Sequence, residues 1–419
     1  MKAMPQFESS SATMASPSVM KTLLKSGRNK EYNVTVPSAT MTIREIQDKI
    51  PAKFFERNTA RSLLFLLRDL AQVAVTYILM YTVALPLANS LEAAAAAYAA
   101  GALDDAGASS SVAATTFVSA AWLFKALLWG VFWFVQGLNG TALWVLAHEC
   151  GHQAFSPLKS LNDAVGMLLH SALLVPYHSW RITHGTHHKH TNHLTKDLVF
   201  VPMTRERVVE LVEEAPLVTL LNLLLMFSFG WPAHLLANAS GQDFGRFTSH
   251  FDPAAPFFRG EDYHDVVVSD LGVATALLLV FSSVYHFGLA NVFCWYLVPY
   301  LWVNFWLVFI TYLQHTDIRI PHYAHQHWTF VRGALAAVDR DYGALLNTWL
   351  HHINDSHVVH HLFSRIPHYN AIQVTRRHIR DILGDMYVTD SQPLWKALWS
   401  PARECRYVVP ADGICVFYH

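Results

Sequence analysis

Long apolar runs separated by polar segments dominate the hydropathy pattern of this chain. A run of about 18 apolar residues or more is long enough to cross a bilayer as a helix. Runs of that kind predict spans at about 70–88, 117–140, 271–288 and 292–312. The last two belong to one nearly uncharged stretch, Leu271–Tyr312, with a turn near residues 286–291. The pattern therefore predicts an all-α integral membrane protein whose four transmembrane helices form two hairpins.

The two ends of the chain lack this apolar pattern. Residues 1–40 are rich in Ser, Thr, Met and Lys without a sustained period, which predicts a disordered tail. They also lack the charged start, apolar stretch and cleavage site of a signal peptide. Residues 41–390 are expected to form the membrane domain, and residues 391–419 a C-terminal tail. A short helix is expected at Thr42–Lys53, with Thr42 as its N-cap and Glu45 three residues on.

Composition supports a membrane protein and argues against some partners. Hydrophobic residues make up 53% of the 419 residues and charged residues only 15%, against about 25% in ordinary soluble domains. The formal net charge is −1 and the Lys and Arg residues form no basic stripe, so no nucleic-acid partner is expected. Four cysteines without a CxxC pair favour a reducing compartment.

Three histidine clusters stand out among the 25 histidines of the chain. They are His148-Glu-Cys-Gly-His152, His184-Gly-Thr-His187-His188 and His357-Val-Val-His360-His361. Offsets of three and four residues fall on one face of a helix, so each cluster is expected to point its imidazoles the same way. Eight imidazoles exceed what one zinc ion needs and suit two metal ions. Ligation by nitrogen without thiolate fits iron, zinc or copper.

Two other interpretations of the first cluster remain open at this point. His148-Glu149-x-x-His152 is also the HExxH pattern of zinc metalloproteases, in which the glutamate is the general base. An intramembrane zinc protease would leave both H-x-x-H-H clusters unexplained. Interfacial histidines without a metal are common singly, but three matched clusters favour a shared metal site, a histidine-rich di-metal centre.

A shared metal site constrains the membrane topology, because its ligands must meet on one side of the bilayer. An even number of spans must therefore separate each pair of clusters. Ala164–Pro176 and Pro216–Phe229 are too short to cross, and the Gly-Trp-Pro sequence at 230–232 is expected to break the second of them. The loops on the opposite side are expected at 91–115, an alanine-rich stretch with some helix, and at 288–291. Neither carries Lys or Arg, so both termini and a helical cap holding all three clusters are predicted to be cytosolic.

Several motifs that occur in order within residues 40–390 resemble one family of membrane enzymes. They are HECGHQAFS (148–156), LHSALLVPYHSWRITHGTHH (169–188), KDLVFVP (196–202), GWP (230–232), HFDP (250–253), YLQHTD (312–317), RGALAAVDRDYG (332–343) and HVVHHLFSRIPHYNA (357–371). The chain resembles the membrane-bound fatty-acid desaturases, specifically the endoplasmic-reticulum oleate Δ12 class of fungi and plants. The resemblance implies that nine histidines are ligands of an oxo-type di-iron centre: His148, His152, His184, His187, His188, His315, His357, His360 and His361.

The resemblance also implies the reaction, its cofactors and its partners. Two iron ions and O2 as co-substrate would remove hydrogens from an oleoyl chain, carried on phospholipid or CoA, and leave the cis double bond of linoleoyl. Electrons would come from cytochrome b5 and NADH-cytochrome b5 reductase, because the chain shows no flavin, nucleotide or haem motif. The enzyme would be a multi-pass protein of the endoplasmic reticulum membrane. An ω3 (Δ15) or bifunctional desaturase, or a diverged hydroxylase, conjugase or acetylenase, would share these boxes, but HECGH in the first box favours Δ12.

Residues around the boxes carry further expectations. Carboxylates commonly orient metal-bound histidines, and the candidates are Glu149, Asp197, Asp317, Asp339, Asp341 and Asp355. Ten nearby histidines outside the box spacing are expected to be structural or solvated: His170, His178, His190, His193, His322, His325, His327, His351, His352 and His368. A possible docking face for cytochrome b5 consists of Arg365, Arg376, Arg377 and Arg380.

Overall fold

The computed structural model describes residues 35–104, 108–204, 215–411 and 413–418. Its α-helices are α1 (Ile43–Gln47), α2 (Thr59–Leu79), α3 (Leu85–Asp104), α4 (Ala108–Gly151), α5 (Lys159–Ala172), α6 (Tyr177–His190), α7 (Pro216–Ala237), α8 (Tyr263–Phe287), α9 (Leu289–Val292), α10 (Val298–His315), α11 (Phe330–Ala334), α12 (Ala344–Trp349), α13 (His357–Leu362), α14 (His368–Val374), α15 (Arg380–Leu383) and α16 (Leu394–Glu404). Short π-helical segments occupy Met80–Ala84, Phe293–Leu297 and Thr375–Ile379, and 3-10 turns occupy Ala52–Phe55, Gly260–Asp262 and Gly384–Met386.

The short helix near the N-terminus begins where the sequence predicts. The Thr42 hydroxyl accepts the Glu45 N–H, and the Glu45 carboxylate accepts the Thr42 N–H, which completes a capping box. The helix ends at Gln47, earlier than predicted, and the turn Ala52–Phe55 follows it. Residues 1–34 of the predicted tail lie outside the described residues.

The first apolar helix is longer than predicted at both ends. It begins at Thr59 and runs through α2, the π-helical segment Met80–Ala84 and α3 to Asp104, so neither Pro86 nor Asn89 ends it. Proline lacks the N–H that an α-helix needs. The π-helical segment just before Pro86 shifts the hydrogen bonds to a wider spacing, with Leu85 N–H bonded to the Met80 carbonyl, and so accommodates the proline.

The alanine-rich stretch 91–115, predicted to be mainly loop, is helical in its described part. Residues 91–104 belong to α3 and residues 108–115 begin α4. Alanine has the highest helix propensity of all residues, and this outweighs the low complexity of the segment. The two helices pack together, and the Lys125 amine donates a 2.7 Å hydrogen bond to Glu92 across their interface. Helix α4 continues beyond the predicted span to Gly151, and so delivers His148 and His152 to the site.

The predicted break at 230–232 is wrong, because α7 continues through Pro232 to Ala237. Within the described ranges, five helical segments are consequently long and apolar enough to cross a membrane: Thr59–Gly101, Val112–Gly151, Pro216–Ala237, Gly260–Phe287 and Leu289–His315. Length and composition thus permit one span more than the four predicted. The predicted hairpin is present, with α8 and α10 connected at Gly288, whose φ of +82° suits glycine.

The polar part after α10 is not purely helical, which corrects the all-α prediction. Strands β1 (His322–Tyr323), β4 (Tyr407–Ala411) and β5 (Ile414–Tyr418) form a sheet in the order β1-β5-β4. Strands β2 (Asp339–Arg340) and β3 (Thr389–Asp390) pair in parallel. The predicted C-terminal tail therefore includes α16 and a hairpin, and β5 pairs with β1 through His322–Cys415 and Tyr323–Ile414.

A cap made of residues 316–418, with residues 41–55 packed on it, holds the third histidine cluster. Helix α13 has only six residues, too few to be stable alone in water. Its apolar residues Val358, Val359 and Leu362 lie in one buried cluster with Ile46 and Phe54 of the N-terminal segment. Burial of the apolar side of α13 therefore fixes the opposite side, which carries the histidines.

Candidate metal centre

Nine histidines in or next to four helices converge beside the cap. His148 lies in the last turn of α4, His152 directly follows its final residue Gly151, and His315 is the last residue of α10. Helix α6 contributes the second cluster and α13 the third. All nine are buried or half-buried. The structure therefore brings together every histidine that the boxes and the YLQHTD motif single out.

The first group contains five of these histidines. The ligand nitrogens of His148, His152, His184, His188 and His360 all lie within 4.8 Å of one another. The Nε2 atom of His184 is 2.9 Å from that of His148 and 3.1 Å from that of His188. Each of the three sequence clusters contributes to this group, so its formation depends on the whole fold.

The second group contains the remaining four. His187, His315 and His361 place their ligand nitrogens within 4.8 Å of one another. His357 joins them, because its Nε2 atom is 3.0 Å from the Nε2 atoms of both His315 and His361. The rings of His188 and His361 stack at 4.2 Å and connect the two groups.

This arrangement fits two metal ions. Two nitrogens bound at about 2.1 Å and at right angles on one ion lie about 3.0 Å apart, which matches the Nε2–Nε2 distances of 2.9–3.1 Å. The buried Nε2 atoms of His152 and His360 have no hydrogen-bond partner among the described residues. Buried polar atoms without partners are costly, and a metal ion would satisfy both.

Comparison with known proteins identifies the family. The sequence model of the fatty acid desaturases matches residues 120–393. The chain belongs to the fatty acid desaturase family. It is 43% identical over 406 residues to the Delta(12) fatty acid desaturase of Mortierella alpina, covering 92% of each chain.

Two further relatives of this desaturase bear on its function. An omega-6 fatty acid desaturase of Glycine max, named as an endoplasmic reticulum isozyme, is 44% identical over 292 residues, 69% of this chain and 75% of the relative. An oleate hydroxylase of Claviceps purpurea is 37% identical over 404 residues, 88% of this chain and 78% of the relative.

An apolar cavity of about 260 Å³ reaches the histidines of the desaturase from the side of the long helices. Five of the nine clustered histidines line it: His148, His184, His187, His315 and His357; His234 of α7 is a sixth histidine in its wall. Apolar side chains of α4, α7 and α10, including Val145, Met226 and Val308, form much of the rest of its wall together with Gly230. The cavity thus presents an apolar ligand directly to both histidine groups. We call it the acyl cavity below.

Two tryptophans that sequence reasoning missed support the site. Trp144 stacks on His148 at 5.6 Å and Trp180 stacks on His184 at 4.6 Å, and both line the acyl cavity. Each tryptophan lies four residues before its histidine, on the same helical face. That spacing was available in the sequence as a signal.

Asp197 is the predicted carboxylate that contacts a clustered histidine. Its Oδ1 lies 2.7 Å from His187 Nδ1, and its Oδ2 accepts the Asn192 N–H at 2.7 Å. A carboxylate held in this way fixes the ring and leaves Nε2 free for a metal. Thr191, which the sequence did not single out, makes a similar contact through its hydroxyl, 3.1 Å from His361 Nδ1.

The other acidic candidates bind elsewhere. Glu149 accepts both the backbone N–H and the ring Nδ1–H of His368 at 2.7 Å, so its predicted contact to a clustered histidine is replaced by one to a structural histidine. Asp317 pairs with Arg319 and Arg340. The last two bind neighbouring groups of the cap: Asp341 accepts from Asn347, and Asp355 lies against His352.

Asp339 acts on the backbone of α13 and not on a ring. Its Oδ1 accepts the Val358 N–H at 2.8 Å, and its Oδ2 accepts the Tyr387 hydroxyl at 2.7 Å. Burial raises the pKa of Asp339 to about 7. The side chain therefore anchors the first turn of the helix that carries the third cluster.

Burial also keeps four of the clustered histidines neutral. It lowers the pKa of His152 to about 3, and it holds the pKa of His188, His360 and His361 well below the usual range, with neighbouring imidazoles adding to the effect. A neutral imidazole is the form that binds metal. The site is thus prepared electrostatically for cations.

The remaining histidines are held by other partners, as expected for structural residues. His351 bonds Asp69 at 2.6 Å, and His193 Nε2 lies 3.3 Å from His325 Nδ1. His170 is buried between Trp144 and Trp180. None of these four histidines belongs to the two histidine groups of the described residues.

Proposed function

We propose that this protein is an acyl Δ12 desaturase that converts an oleoyl chain to linoleoyl with a cis double bond. The observation that carries this function is the meeting of two histidine groups with a deep apolar cavity. The similarity to Delta(12) desaturases over most of the chain supports the same reaction. Catalysis would take place at the mouth of the acyl cavity, between the two groups.

The nine histidines are proposed as ligands of two iron ions. Bound there, the irons would supply activation of O2 and removal of two hydrogens from unactivated methylenes. The chain itself holds the rings, through Asp197 at His187 and Thr191 at His361. Trp144 and Trp180 exclude water beside the first group and shape the wall against which the acyl chain lies.

The depth of the acyl cavity supports the Δ12 position. Thr141 lies seven residues before His148, and Val308 lies seven before His315, so the cavity extends about 10 Å beyond the histidines at about 1.5 Å per residue. Carbon–carbon bonds of about 1.5 Å advance a zigzag chain by about 1.3 Å per carbon. The six carbons from carbon 13 to the methyl end would extend about 8 Å and occupy most of this depth, whereas the three beyond an ω3 bond would extend about 4 Å and leave more than half of it empty.

The electron donor and acyl carrier follow from the same proposal. The donor is cytochrome b5, reduced by NADH-cytochrome b5 reductase. O2 is the co-substrate, and the acyl chain arrives on a phospholipid or on CoA. An apolar cavity with an uncharged wall suits the hydrocarbon end of either carrier, while the polar carrier group stays outside.

The proposed location is the endoplasmic reticulum membrane, with four spans and a cytosolic cap. Three apolar helices, α7, α8 and α10, lie between the second and third clusters. Because both clusters meet in one site, an even number of the three must cross. Helices α8 and α10 form the hairpin, so α7 stays on the cap side of the bilayer. Relatives named as endoplasmic reticulum isozymes support this membrane.

Two alternatives differ in their products. The hydroxylase relative shows that similar sequences are associated with hydroxylation of oleate, and an ω3 or bifunctional desaturase would place a bond closer to the methyl end. A zinc protease would need Glu149 free as a base, but both of its oxygens are bound to His368. The acyl reactions are therefore the alternatives to separate.

Expression in a yeast that makes no polyunsaturated fatty acids tests the proposal. Gas chromatography and mass spectrometry of its lipids should reveal an 18-carbon acid with cis double bonds at carbons 9 and 12. Unchanged lipids in cells that contain the protein would contradict it. A hydroxy acid, or a bond at carbon 15 alone, would support the corresponding alternative.

A further inference from the structure

Two neighbouring residues of strand β2, Asp339 and Arg340, bind the two helices that meet at the second histidine group. Successive side chains of a strand point to opposite sides. Arg340 accordingly reaches the last turn of α10, and Asp339 reaches the first turn of α13. Helix α10 ends in His315 and α13 begins with His357, and the Nε2 atoms of these two histidines lie 3.0 Å apart. The dipeptide therefore joins the two helices on which this part of the site depends.

Arg340 completes the end of α10. The last carbonyls of a helix have no partner within the helix and need one from outside. Arg340 Nε donates a 2.7 Å hydrogen bond to the Leu313 carbonyl, and the N–H of the preceding Val338 donates to the Gln314 carbonyl at 3.0 Å. A basic group at this end of a helix also interacts favourably with the helix dipole. This segment thus holds the last turn of α10, which contains His315.

The same guanidinium holds the chain just beyond His315. Its Nη2 atom donates to Asp317 at 2.7 Å, and its Nη1 atom donates to Asp390 of β3. Leu313 lies two residues before His315 and Asp317 two residues after it, so Arg340 binds the chain on both sides of this histidine. The side chain is only 2% exposed. Only a guanidinium offers donors on three separate nitrogen atoms in one plane, which this arrangement requires.

Asp339 has the corresponding place at α13. The first N–H groups of a helix also lack partners within it, and Asp339 Oδ1 accepts the Val358 N–H at 2.8 Å. Its other oxygen accepts the Tyr387 hydroxyl, and its backbone N–H donates to the Val388 carbonyl at 3.1 Å. The carboxylate is thus bound from its other side by the segment that follows α15, and a shift of the first turn of α13 would break its bond to Val358.

The two histidine groups depend on this dipeptide to different degrees. Four of the five histidines of the first group belong to the first two sequence clusters, in segments to which neither residue forms a hydrogen bond within the described ranges. Helix α10 supplies a histidine to the second group alone, whereas α13 supplies His360 to the first and His357 and His361 to the second. Loss of the Arg340 contacts should therefore weaken one metal position, and loss of the Asp339 contact should weaken both.

We propose that Asp339 and Arg340 are positioning residues that set the distance between His315 and His357 and so prepare the second histidine group for its metal ion. The inference rests on the proposed function, in which the two histidine groups hold two irons. Both residues act through the backbone of the two helices and through Asp317, so neither is itself a ligand. Because α10 is one of the long helices and α13 belongs to the cap, the dipeptide also fixes the cap to the long helices beside the second group.

Equilibrium iron titration of the metal-free, full-length protein in phosphatidylcholine nanodiscs tests the proposal through binding alone. Arg340→Lys keeps a cation beside Asp317 and Asp390 but loses the separate Nε bond to the Leu313 carbonyl. The first iron should bind as in the wild type, and the Kd of the second should rise about tenfold to a hundredfold.

Arg319→Lys is the matched control for that variant. Arg319 bonds the same two aspartates, Asp317 and Asp390, but donates no hydrogen bond to α10 among the described residues. Both irons should bind to it as they do to the wild type.

Two variants of Asp339 give an independent test. Asp339→Asn keeps an oxygen that can accept the Val358 N–H, so both iron affinities should stay close to those of the wild type. Asp339→Ala removes that oxygen and should weaken the binding of both irons, because α13 serves both groups. This pair decides the proposal even if the Arg340 variant does not accumulate.

Unchanged affinity for the second iron in Arg340→Lys would overturn the proposal, as would an equal loss of both irons in that variant or the same loss in Arg319→Lys. An Asp339→Asn variant that binds iron as weakly as Asp339→Ala would also overturn it. Linoleate formation is measured separately. Wild-type protein that binds two irons but forms no linoleate would contradict the proposed function and leave the positioning role of the dipeptide intact.

Discussion

The two openings onto the histidine site differ in almost every physical respect. The acyl cavity is apolar and lies among the long helices. A second opening of about 510 Å³, here called the cap-side depression, is polar; His152, His188 and His361 line it together with the exposed cations Lys189 and Arg365. Each histidine cluster contributes to both openings. The histidines that line the acyl cavity are His148, His184, His187 and His357. Those that line the cap-side depression are His152, His188 and His361, one from each cluster.

This division follows from helix geometry. Neighbouring imidazoles separated by one turn point the same way but reach different depths along the axis. One cluster on one helix can therefore expose one nitrogen ligand to hydrocarbon and another to the cap. The comparison teaches that each histidine cluster faces two openings of different chemistry, one apolar and one polar.

The largest effect is expected at the histidine that lines neither opening. His360 belongs to the first group and carries a buried Nε2 without a partner. His360→Ala should lower iron content and abolish linoleate formation, a loss of at least about a hundredfold, because it removes a ligand outright. His325→Ala, on the exposed edge of the cap, is the matched histidine control and should retain activity. Linoleate at wild-type levels from the His360 variant would refute its ligand role.

A variant of the acyl cavity should affect the substrate and leave the donor alone. A Cβ at Gly230 would lie 3.5 Å from Met226 and 3.9 Å from Val308, so a larger side chain there fills the cavity between α7 and α10. Gly230→Leu should reduce kcat/KM for the oleoyl substrate about tenfold to a hundredfold, since overfilling a packed space costs about 1–3 kcal/mol.

Gly230→Ala is the control for backbone effects and should cost much less activity than Gly230→Leu. Binding of cytochrome b5, the proposed electron donor, should be unchanged in both variants when it is measured on the protein in phosphatidylcholine nanodiscs. A raised Kd for the donor in Gly230→Leu would show that the two routes are not separate.

The sequence predicted more of this site than of the fold around it. The three clusters were identifiable because their chemistry depends on local spacing, and His315 because its YLQHTD motif resembles the desaturase family. The turn near Gly288 was identifiable because the length of the apolar stretch fixes a hairpin. The two openings could not be predicted from the sequence, since residues such as Gly230 and Val308 meet only through the packing of α7 against α10. The stretch 91–104 was predicted to be mainly loop because its low complexity was given more weight than the high helix propensity of alanine. The pairing of β1 with β5 was not predicted because it joins segments that are far apart in the sequence.

A smaller effect is expected where a carboxylate orients one ring. Asp197→Asn keeps an oxygen near His187 Nδ1 but removes the charge, so we expect roughly a tenfold loss in iron affinity. Iron titration of the metal-free protein measures it. Asp355→Asn is the matched control, because Asp355 contacts His352 outside the two groups. Equal iron affinities in the two variants would refute the role of Asp197 in orienting the His187 ring.

The smallest effect is expected at the glycine of the cap-side depression. Gly185 lines it, and a Cβ there meets no atom within 4 Å. The indole of Gly185→Trp should occupy the depression and raise the KM for the electron donor about threefold to tenfold. Blocking this surface weakens association with the donor and leaves the residues of the histidine site in place. Gly185→Ala is the control and should behave like the wild type. An unchanged donor KM in Gly185→Trp, with the protein folded, would argue against electron entry from this side.

Metal analysis of the purified protein tests the central claim most directly, namely that nine histidines form two adjacent metal sites between two access routes. Inductively coupled plasma mass spectrometry on protein expressed with iron should find about two irons per chain, as four or five nitrogens per ion require. One zinc per chain, or no bound metal in protein that is otherwise folded, would contradict the account.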